Sequence, residues 1–373
     1  MQANRRVLIF LPFLTYGGAE RQGFLLAQGL HQQGYNVTVG GFKLKDEKYP
    51  LISDLQHAGI KHYVLPFEMA VMPGRKTILP ALYTFIKYLR SQKFDAIIPF
   101  TFWPNYLSAH AARFVNARCF WNQRSVDDHV AVHGLEKWLP INKLSFISNS
   151  RPGTDFLVRR FTLKPEQVTT IANSVVEIAP RNTAAYWRNQ LQLKEDETVV
   201  TMVANFYPEK DFDTVIAAAN TLRDKPFRFV FAGGGPDKQK QKHYKALCFD
   251  LNLSNHITFL DNINDVAGLL QVTDVGLLSS KSEGCPNSVL EYMYNSLPVV
   301  ANDIEAIADV LGADYPFLFK TGNPDSLIQV LERLSSDKQL RIQTGNALKL
   351  RVSEKYSQQK MVAAYIQLLE HHT

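Results

Sequence analysis

Short apolar runs alternate along the chain with longer segments of mixed polarity. Residues Arg6 to Leu11 are apolar almost throughout, a pattern typical of a strand in a parallel sheet that is covered on both faces. An amphipathic stretch follows and ends near Gln32, and residues 34–39 form the next apolar run. This order of strand, helix and strand predicts an α/β fold.

The same alternation continues along the chain, with largely apolar runs at residues 60–65, 95–100, 118–122, 198–205, 227–232, 257–260, 275–278 and 299–301. Between them apolar residues recur at helical spacing, for example in residues 325–334. Each half therefore predicts a doubly wound parallel sheet, and we expect the two sheets to face each other across a cleft. Ligands of such sheets bind outside the carboxyl ends of the strands, so the loops after the strands are the expected sites.

Length and charge add two constraints. The 373 residues suit about two domains. Residues 1–172 hold 21 Lys and Arg against 11 Asp and Glu, whereas the remainder holds 20 against 24. A basic half either indicates an anionic partner or only aids solubility. No apolar run approaches the roughly 20 residues that span a bilayer. Three widely spaced cysteines predict neither a disulfide framework nor a metal cluster, so we expect a cytoplasmic protein.

One segment, from Gly74 to Lys93, is both basic and amphipathic. Its apolar residues share one helical face: Ile78, Leu82, Phe85, Ile86 and Leu89. Helices of this kind either cover a sheet or lie on an anionic membrane. We favour the covering helix, and we expect some of its lysines and arginines to contact lipid at the inner face of the membrane.

The most informative stretch is residues 279–298, SSKSEGCPNSVLEYMYNSLP. Pro286 suits the first turn of a helix, where its missing N–H costs nothing. The amides that follow it then have no partner within the helix and form a ready site for an anion. Glu283 and Glu291 lie just before and just inside this helix start, and carboxylates accept hydrogen bonds from sugar hydroxyls. This combination predicts a phosphorylated polyol as ligand.

Glu283, seven further residues and Glu291, within EGCPNSVLEYM and followed by LPVVA, resemble the nucleotide-sugar signature of the family 4 retaining glycosyltransferases. The resemblance extends over nearly the whole chain and implies the two-domain GT-B architecture. It implies an acceptor-binding domain at 1–176 and a nucleotide-sugar-binding domain at 177–356. It also implies a last helix, within 357–373, that packs back on the first domain.

The resemblance implies roles for single residues as well. Glu283 would bind hydroxyls of the transferred sugar, Glu291 would bind the ribose diol, and Lys210 would grip the diphosphate. The implied donor-binding residues are Gly17, Gly18, Asn205, Lys210, Gly284, Cys285, Pro286, Asn287, Ser288 and Glu291. Because Cys285 precedes a helix start, we expect its thiol to react faster than the other two thiols.

Two positions depart from the family pattern. The family often has a histidine near the transferred sugar, and here Gln123 or Arg124 takes its place. The family's arginine upstream of the diphosphate-binding lysine is also missing, since residues 205–207 are Asn-Phe-Tyr. His129 and His133 follow the first of these positions, but lone histidines of this kind are more often surface residues than catalysts.

The implied reaction is retaining transfer of a hexosyl group to a hydroxyl of a glycan or lipid-linked acceptor in polysaccharide biosynthesis. We expect a UDP-sugar as donor, with Glu283, Lys210 and Arg124 as catalytic residues. We expect no metal and no other cofactor, because Asp211 and Asp213, although spaced like metal-binding acids, lie at a helix start where acids complement the dipole.

We expect peripheral contact with an anionic membrane and no nucleic acid partner. An NAD enzyme is disfavoured, because the glycine fingerprint of dinucleotide binding is absent from the sequence. Two alternatives stay open: a nucleotide-sugar epimerase with the GT-B fold, and a nucleotide-sugar-binding subunit without turnover.

Overall fold

The computed structural model describes residues 5–68, 75–126, 136–235 and 238–370. The strands are β1 (Arg6–Phe10), β2 (Asn36–Lys43), β3 (Lys61–Glu68), β4 (Ala96–Pro99), β5 (Arg118–Gln123), β6 (Leu144–Ser148), β7 (Val168–Thr170), β8 (Thr198–Val203), β9 (Phe227–Ala232), β10 (Ile257–Leu260), β11 (Val275–Leu278), β12 (Val299–Asn302) and β13 (Leu318–Phe319). The α-helices are α1 (Gly18–Gln32), α2 (Leu51–His57), α3 (Arg75–Gln92), α4 (Phe102–Ala111), α5 (Arg151–Phe161), α6 (Ala184–Gln190), α7 (Phe212–Thr221), α8 (Lys238–Asp250), α9 (Val266–Leu270), α10 (Asn287–Tyr294), α11 (Glu305–Leu311), α12 (Pro324–Ser336), α13 (Lys338–Lys355) and α14 (Gln358–Glu370).

These elements form two units, one comprising Met1–Ser174 with Gln358–Thr373 and the other Val175–Ser357. The first unit contains a sheet in the order β3-β2-β1-β4-β5-β6-β7, and the second a sheet in the order β10-β9-β8-β11-β12-β13. All pairings between these strands are parallel. The predicted α/β class with two parallel sheets is confirmed. In each sheet the strand order reverses beside the unit's first strand, which is where ligands of such folds bind.

Helix α3 covers the sheet of the first unit. Ile78, Phe85 and Leu89 are buried, and the Phe85 ring stacks on Phe10 of β1 with 4.7 Å between centroids. The interpretation of this basic segment as a covering helix is therefore confirmed. Its outer side exposes Leu79 and Tyr83, whose surfaces are 64% and 71% accessible. Among the described residues, no helix is both long and apolar enough to cross a bilayer.

Helix α14 packs within the first unit, against α1. Gly29 of α1 permits this approach, because a Cβ there would collide with the side chain of Val362. The Gln358 side chain donates to the carbonyl of Leu25 at 2.8 Å. The hydroxyl of Tyr365, buried in the unit, accepts a hydrogen bond of 3.1 Å from Asn122. Helix α14 is therefore part of the first unit, although it follows the second unit in the sequence.

In the second unit, Asp265 ties the segment before α6 to the start of α9. Its carboxylate accepts hydrogen bonds of 2.9 to 3.0 Å from the backbone amides of Arg181, Asn182 and Gly268, and from the Trp187 indole. Burial alone would raise its pKa, but these donors outweigh burial and hold the pKa at about 2. Asp265 therefore stays ionised and acts as a structural anchor.

Candidate functional site

In the second unit, the loops after β8 and β11 carry most of the predicted donor-binding residues. The two strands are neighbours in the sheet, so their carboxyl ends bring the two loops together. The amide of Asp211 donates to the carbonyl of Ser279 at 3.0 Å, and the amide of Lys281 donates to the carbonyl of Glu209 at 2.8 Å. These bonds join the loops on either side of Lys210, which lies in a bridge with Ser280.

Lys210 and Glu283 form an ion pair in this setting, through Nζ and Oε1. Their side chains are 17% and 13% exposed, so water screens the pair less than it would on an open surface. The sequence predicts a separate role for each residue, and the structure brings the two together. The Glu283 carboxylate neutralises the charge of Lys210, and the ion pair fixes the orientation of that carboxylate.

Helix α10 begins directly after these residues, at Asn287. Pro286 precedes it with extended backbone angles, φ −71° and ψ 120°, and no side chain caps the helix start. No acidic residue lies in its first turn. The first amides of a helix have no acceptor within the helix, so this end favours an anion such as a phosphate. Gly284 is buried, and Ser288 and Glu291 are half-buried on the same helix start.

Tyr292 holds α10 in place, a role that sequence analysis missed. Its buried hydroxyl accepts from the Val203 amide at 2.6 Å and donates to the Leu277 carbonyl at 3.2 Å. Burial raises the pKa of Tyr292, so the hydroxyl keeps its proton. Gly276 of β11 lies directly beneath the ring, where a Cβ would collide with it. In the sequence, the signal for this contact was the glycine at position 276 together with the tyrosine at position 292.

Asn205 supports the neighbouring glycine loop after β9. Its side-chain oxygen accepts from the Gly234 amide at 3.1 Å, and the Phe206 amide donates to the Gly234 carbonyl at 2.7 Å. Gly233 has a φ of +152°, and a Cβ there would collide with the carbonyl of Ala204. The structure thus gives Asn205 a contact that braces the glycine loop.

The two acids after Lys210 serve the fold. Asp211 caps α7, because its carboxylate accepts from the Thr214 hydroxyl at 2.7 Å and from the Thr214 amide at 3.4 Å. Asp213 accepts a hydrogen bond of 3.1 Å from the Tyr244 hydroxyl. The interpretation of these residues as helix-start acids agrees with both contacts.

Cys285 is buried, with 6% of its surface exposed, as are Cys119 at 0% and Cys248 at 3%. Exposure therefore gives Cys285 little advantage over the other two thiols. The expectation that Cys285 reacts first is not supported, because packing at the loop covers its side chain.

In the first unit, Gly17 and Gly18 form the start of α1. Gly17 is the residue before the helix, and its carbonyl accepts from the Arg21 amide at 2.9 Å. A Cβ on Gly17 would collide with the carboxylate of Glu20, which is 8% exposed. Burial raises the pKa of Glu20 to about 7, although hydrogen bonds from the backbone of Glu20 and Phe13 oppose the rise.

Arg124 follows β5 at the same edge of the first sheet. Its guanidinium donates to Asn173 Oδ1 and lies over the ring of Phe100, 5.0 Å from the centroid. Gln123 is 3% exposed, and its amide engages Trp121 at 3.1 Å and the carbonyl of Ser125 at 3.0 Å. These contacts hold both side chains in place, and the placing of Arg124 where the family has a histidine stays a prediction.

Strain marks the end of β4, next to Arg124. Thr101 has a φ of 65° and a ψ of −173° directly before α4, a conformation that costs a residue with a side chain about 1–3 kcal/mol and is common at functional sites. Sequence analysis gave no signal for it. His129 and His133 lie outside the described residues.

Comparison with known proteins places these features in a family. A profile described as "Glycosyl transferases group 1" matches residues 184–351, and one described as "Glycosyltransferase Family 4" matches residues 16–176. The chain is 26% identical over 298 residues to UDP-Gal:alpha-D-GlcNAc-diphosphoundecaprenol alpha-1,3-galactosyltransferase of Escherichia coli, covering 72% of this chain and 73% of that protein. It is 24% identical over 359 residues to an uncharacterised glycosyltransferase of Haemophilus influenzae, covering 93% and 94%.

Solved structures share the fold. A glycosyltransferase from Rickettsia africae superposes with a TM-score of 0.81 at 16% identity, covering 98% of each chain. Anabaena HepE, solved in complex with UDP-glucose, superposes with a TM-score of 0.82 at 16% identity, covering 98% of this chain and 99% of that one. These neighbours support the GT-B architecture.

Proposed function

The chain belongs to the group 1 glycosyltransferases of family 4, and from that premise we propose that it transfers a hexosyl group from a UDP-sugar to a hydroxyl of a lipid-linked glycan. The observation that carries the proposal is the Lys210–Glu283 pair beside the uncapped start of α10. A cation, a carboxylate and helix amides on adjoining loops match the diphosphate and hydroxyls of a nucleotide sugar.

The donor side of the reaction follows from the charges involved. The bond between the anomeric carbon and the diphosphate oxygen breaks, so positive charge develops on the sugar and negative charge on the leaving group. Lys210 and the first amides of α10 stabilise the leaving diphosphate, and such preorganised donors are worth about 3–4 kcal/mol each. When the diphosphate binds Lys210, the ion pair with Glu283 opens. The Glu283 carboxylate is then available to accept hydrogen bonds from sugar hydroxyls. Glu291, one turn into the helix, binds the ribose diol.

The acceptor side is assigned to the first unit. The acceptor hydroxyl oxygen attacks the anomeric carbon, and its proton passes to an oxygen of the leaving diphosphate, which gives retention by attack from the leaving-group face. Gly17 and Gly18 offer a closely approachable backbone at the end of β1. Arg124, held by Asn173, supplies a cation at the end of β5. We propose that no metal ion takes part.

The lipid-linked acceptor is supported by two of the relatives. The Escherichia coli protein is named for an acceptor on diphosphoundecaprenol, and a Campylobacter jejuni relative, 28% identical over 158 residues, is named for a diphospho-undecaprenol acceptor as well. Such an acceptor resides in a membrane, and residues 1–172 carry 21 basic against 11 acidic residues. Peripheral contact of the first unit with anionic lipid is therefore part of the proposal.

A transfer assay tests this function. UDP-, GDP- and ADP-hexoses are each incubated with a short-chain polyprenyl-diphosphate sugar, with and without EDTA, and products are identified by mass spectrometry. We expect transfer from a UDP-hexose, with retention, that survives EDTA. Lys210→Ala should reduce it at least a hundredfold, whereas Lys281→Ala, a matched change of an exposed lysine on the adjoining loop, should not.

Three outcomes would contradict the proposal. Sugar isomerisation without acceptor would indicate an epimerase. Nucleotide binding without transfer or donor hydrolysis would indicate a binding subunit. Activity that EDTA removes and Mn²⁺ restores would make metal part of the site. Binding is measured separately by thermal shift, since a ligand at 100 times its Kd stabilises by about 2.7 kcal/mol.

A further inference from the structure

Two exposed aromatic residues of the first unit lie outside the donor and acceptor loops. Trp138 ends a short turn of 3-10 helix, Glu136–Trp138, and 67% of its surface is exposed. Phe114 follows α4, and 49% of its surface is exposed. Single exposed aromatics are ordinary on soluble proteins, so their neighbours decide whether this pair has a purpose.

Each aromatic is held by an arginine through its backbone. Arg90, near the end of α3, donates from Nε to the carbonyl of Phe114 at 2.9 Å. Arg113 donates from Nη2 to the carbonyl of Trp138 at 2.8 Å. Both arginines are exposed, and a guanidinium has five N–H donors, so one bond leaves donors for an anion.

The chain segments around Phe114 and Trp138 are strongly basic. Residues 87–93, 113–118 and 136–143 together hold seven Lys and Arg against one acidic residue, Glu136. Lys137, next to Trp138, is exposed, as is Lys87 on the outer side of α3. Further along that side lie the exposed apolar residues Leu79 and Tyr83.

We propose that Arg90, Arg113, Phe114, Lys137 and Trp138 form a docking surface for an anionic lipid bilayer. The indole and phenyl rings insert at the level of the headgroups, as amphipathic aromatic rings do at membrane interfaces. The arginines and lysine bind lipid phosphates around them, because basic side chains near an anionic lipid surface are attracted to it. This surface rests on the proposed membrane acceptor, but it assigns the contact to residues that lie beyond the predicted basic helix.

Trp138 provides a direct readout. Of the four tryptophans in the sequence, Trp121 and Trp187 are 0% and 5% exposed and Trp103 is half-buried in α4. Binding to vesicles of phosphatidylglycerol and phosphatidylcholine should therefore shift the emission of Trp138 to shorter wavelength. Brominated acyl chains should quench it, and salt should release the protein because it screens the charges.

Variants at Trp138 distinguish the contribution of the aromatic ring to binding from its use as a fluorescent probe. Trp138→Ala should lower the vesicle partition coefficient about tenfold, in line with removing one large apolar side chain. Trp138→Phe should retain most of the binding but lose the emission shift. Phe249→Ala, which removes an aromatic of the second unit that is 74% exposed, serves as control and should bind as the unaltered protein does.

Two results would overturn the surface: Trp138→Ala binding anionic vesicles as tightly as the unaltered protein, or an unchanged emission in the vesicle-bound protein. Transfer to a short, water-soluble acceptor is measured in parallel and should be equal in the unaltered protein and in Trp138→Ala. Absence of transfer with every nucleotide sugar, together with Trp138-dependent vesicle binding, would reject the proposed function and leave the docking surface standing.

Discussion

Replacing Glu20 by glutamine should make the first unit more stable at neutral and alkaline pH. Burial raises the pKa of this carboxyl from 4.5 to about 7, so between these values the folded protein holds a proton that the unfolded chain has lost. The contribution of Glu20 to folding stability is therefore fully present below pH 4.5, falls as the pH rises to about 7, and is constant above. Since one pKa unit corresponds to about 1.4 kcal/mol, the loss is at most roughly 3 kcal/mol.

Glutamine has nearly the same shape and can accept the same backbone hydrogen bonds, but it does not ionise. Glu20→Gln should thus match the unaltered protein near pH 4.5 and exceed it by up to about 3 kcal/mol at pH 8. Urea unfolding of both proteins across this range, followed by tryptophan fluorescence, to which the first unit's buried Trp121 contributes, measures the difference. A difference that is the same at pH 4.5 and pH 8 would refute the burial argument.

Three further predictions concern the second unit. Glu283→Gln should leave affinity for UDP intact while transfer falls at least a hundredfold, whereas Glu291→Ala should weaken UDP itself; equal losses in calorimetry would contradict these roles. Gly276→Ala should lower stability by about 1–3 kcal/mol, because the new Cβ collides with Tyr292, and an unchanged melting temperature would refute the contact. Asp265→Asn should lower the free energy of unfolding by about 2 kcal/mol above pH 3.8. That cost should shrink as the pH falls from 3.8 to about 2, because the anchoring carboxylate becomes protonated in both states; a cost independent of pH would reject the anchor.

The fold could be predicted well because its signal is local. Strands buried on both faces are continuous apolar runs, and β1, whose Val7 to Phe10 are all fully buried, is an example. The two-residue strand β13 is too short to give such a signal. Helix α13 was missed because its apolar face is weak: among its 18 residues only Gly345, Leu348 and Val352 are buried.

The site could be predicted only as separate parts. The motif around Glu283 and the lysine at position 210 are visible in the sequence, but the two residues are 73 positions apart, and their pairing depends on β8 and β11 being neighbours in the sheet. The contact between Arg124 and Asn173 spans 49 residues in the same way. Long-range pairings of this kind follow from sheet order, which no local pattern encodes.

The paired ends of the second unit have a consequence for how the chain folds. Val175 and Ser357 lie in a parallel bridge, and the Val175 amide donates to the carbonyl of Tyr356 at 3.0 Å. The packing of Gly29 on Val362, by contrast, must close a loop of more than 300 residues if the chain is unfolded between them. Once the second unit and the rest of the first unit have formed, the adjacent ends Val175 and Ser357 reduce that closure to a few residues, which removes most of the entropy cost. Synthesis in chain order thus leaves the first unit without α14 until the residues of the second unit have been made.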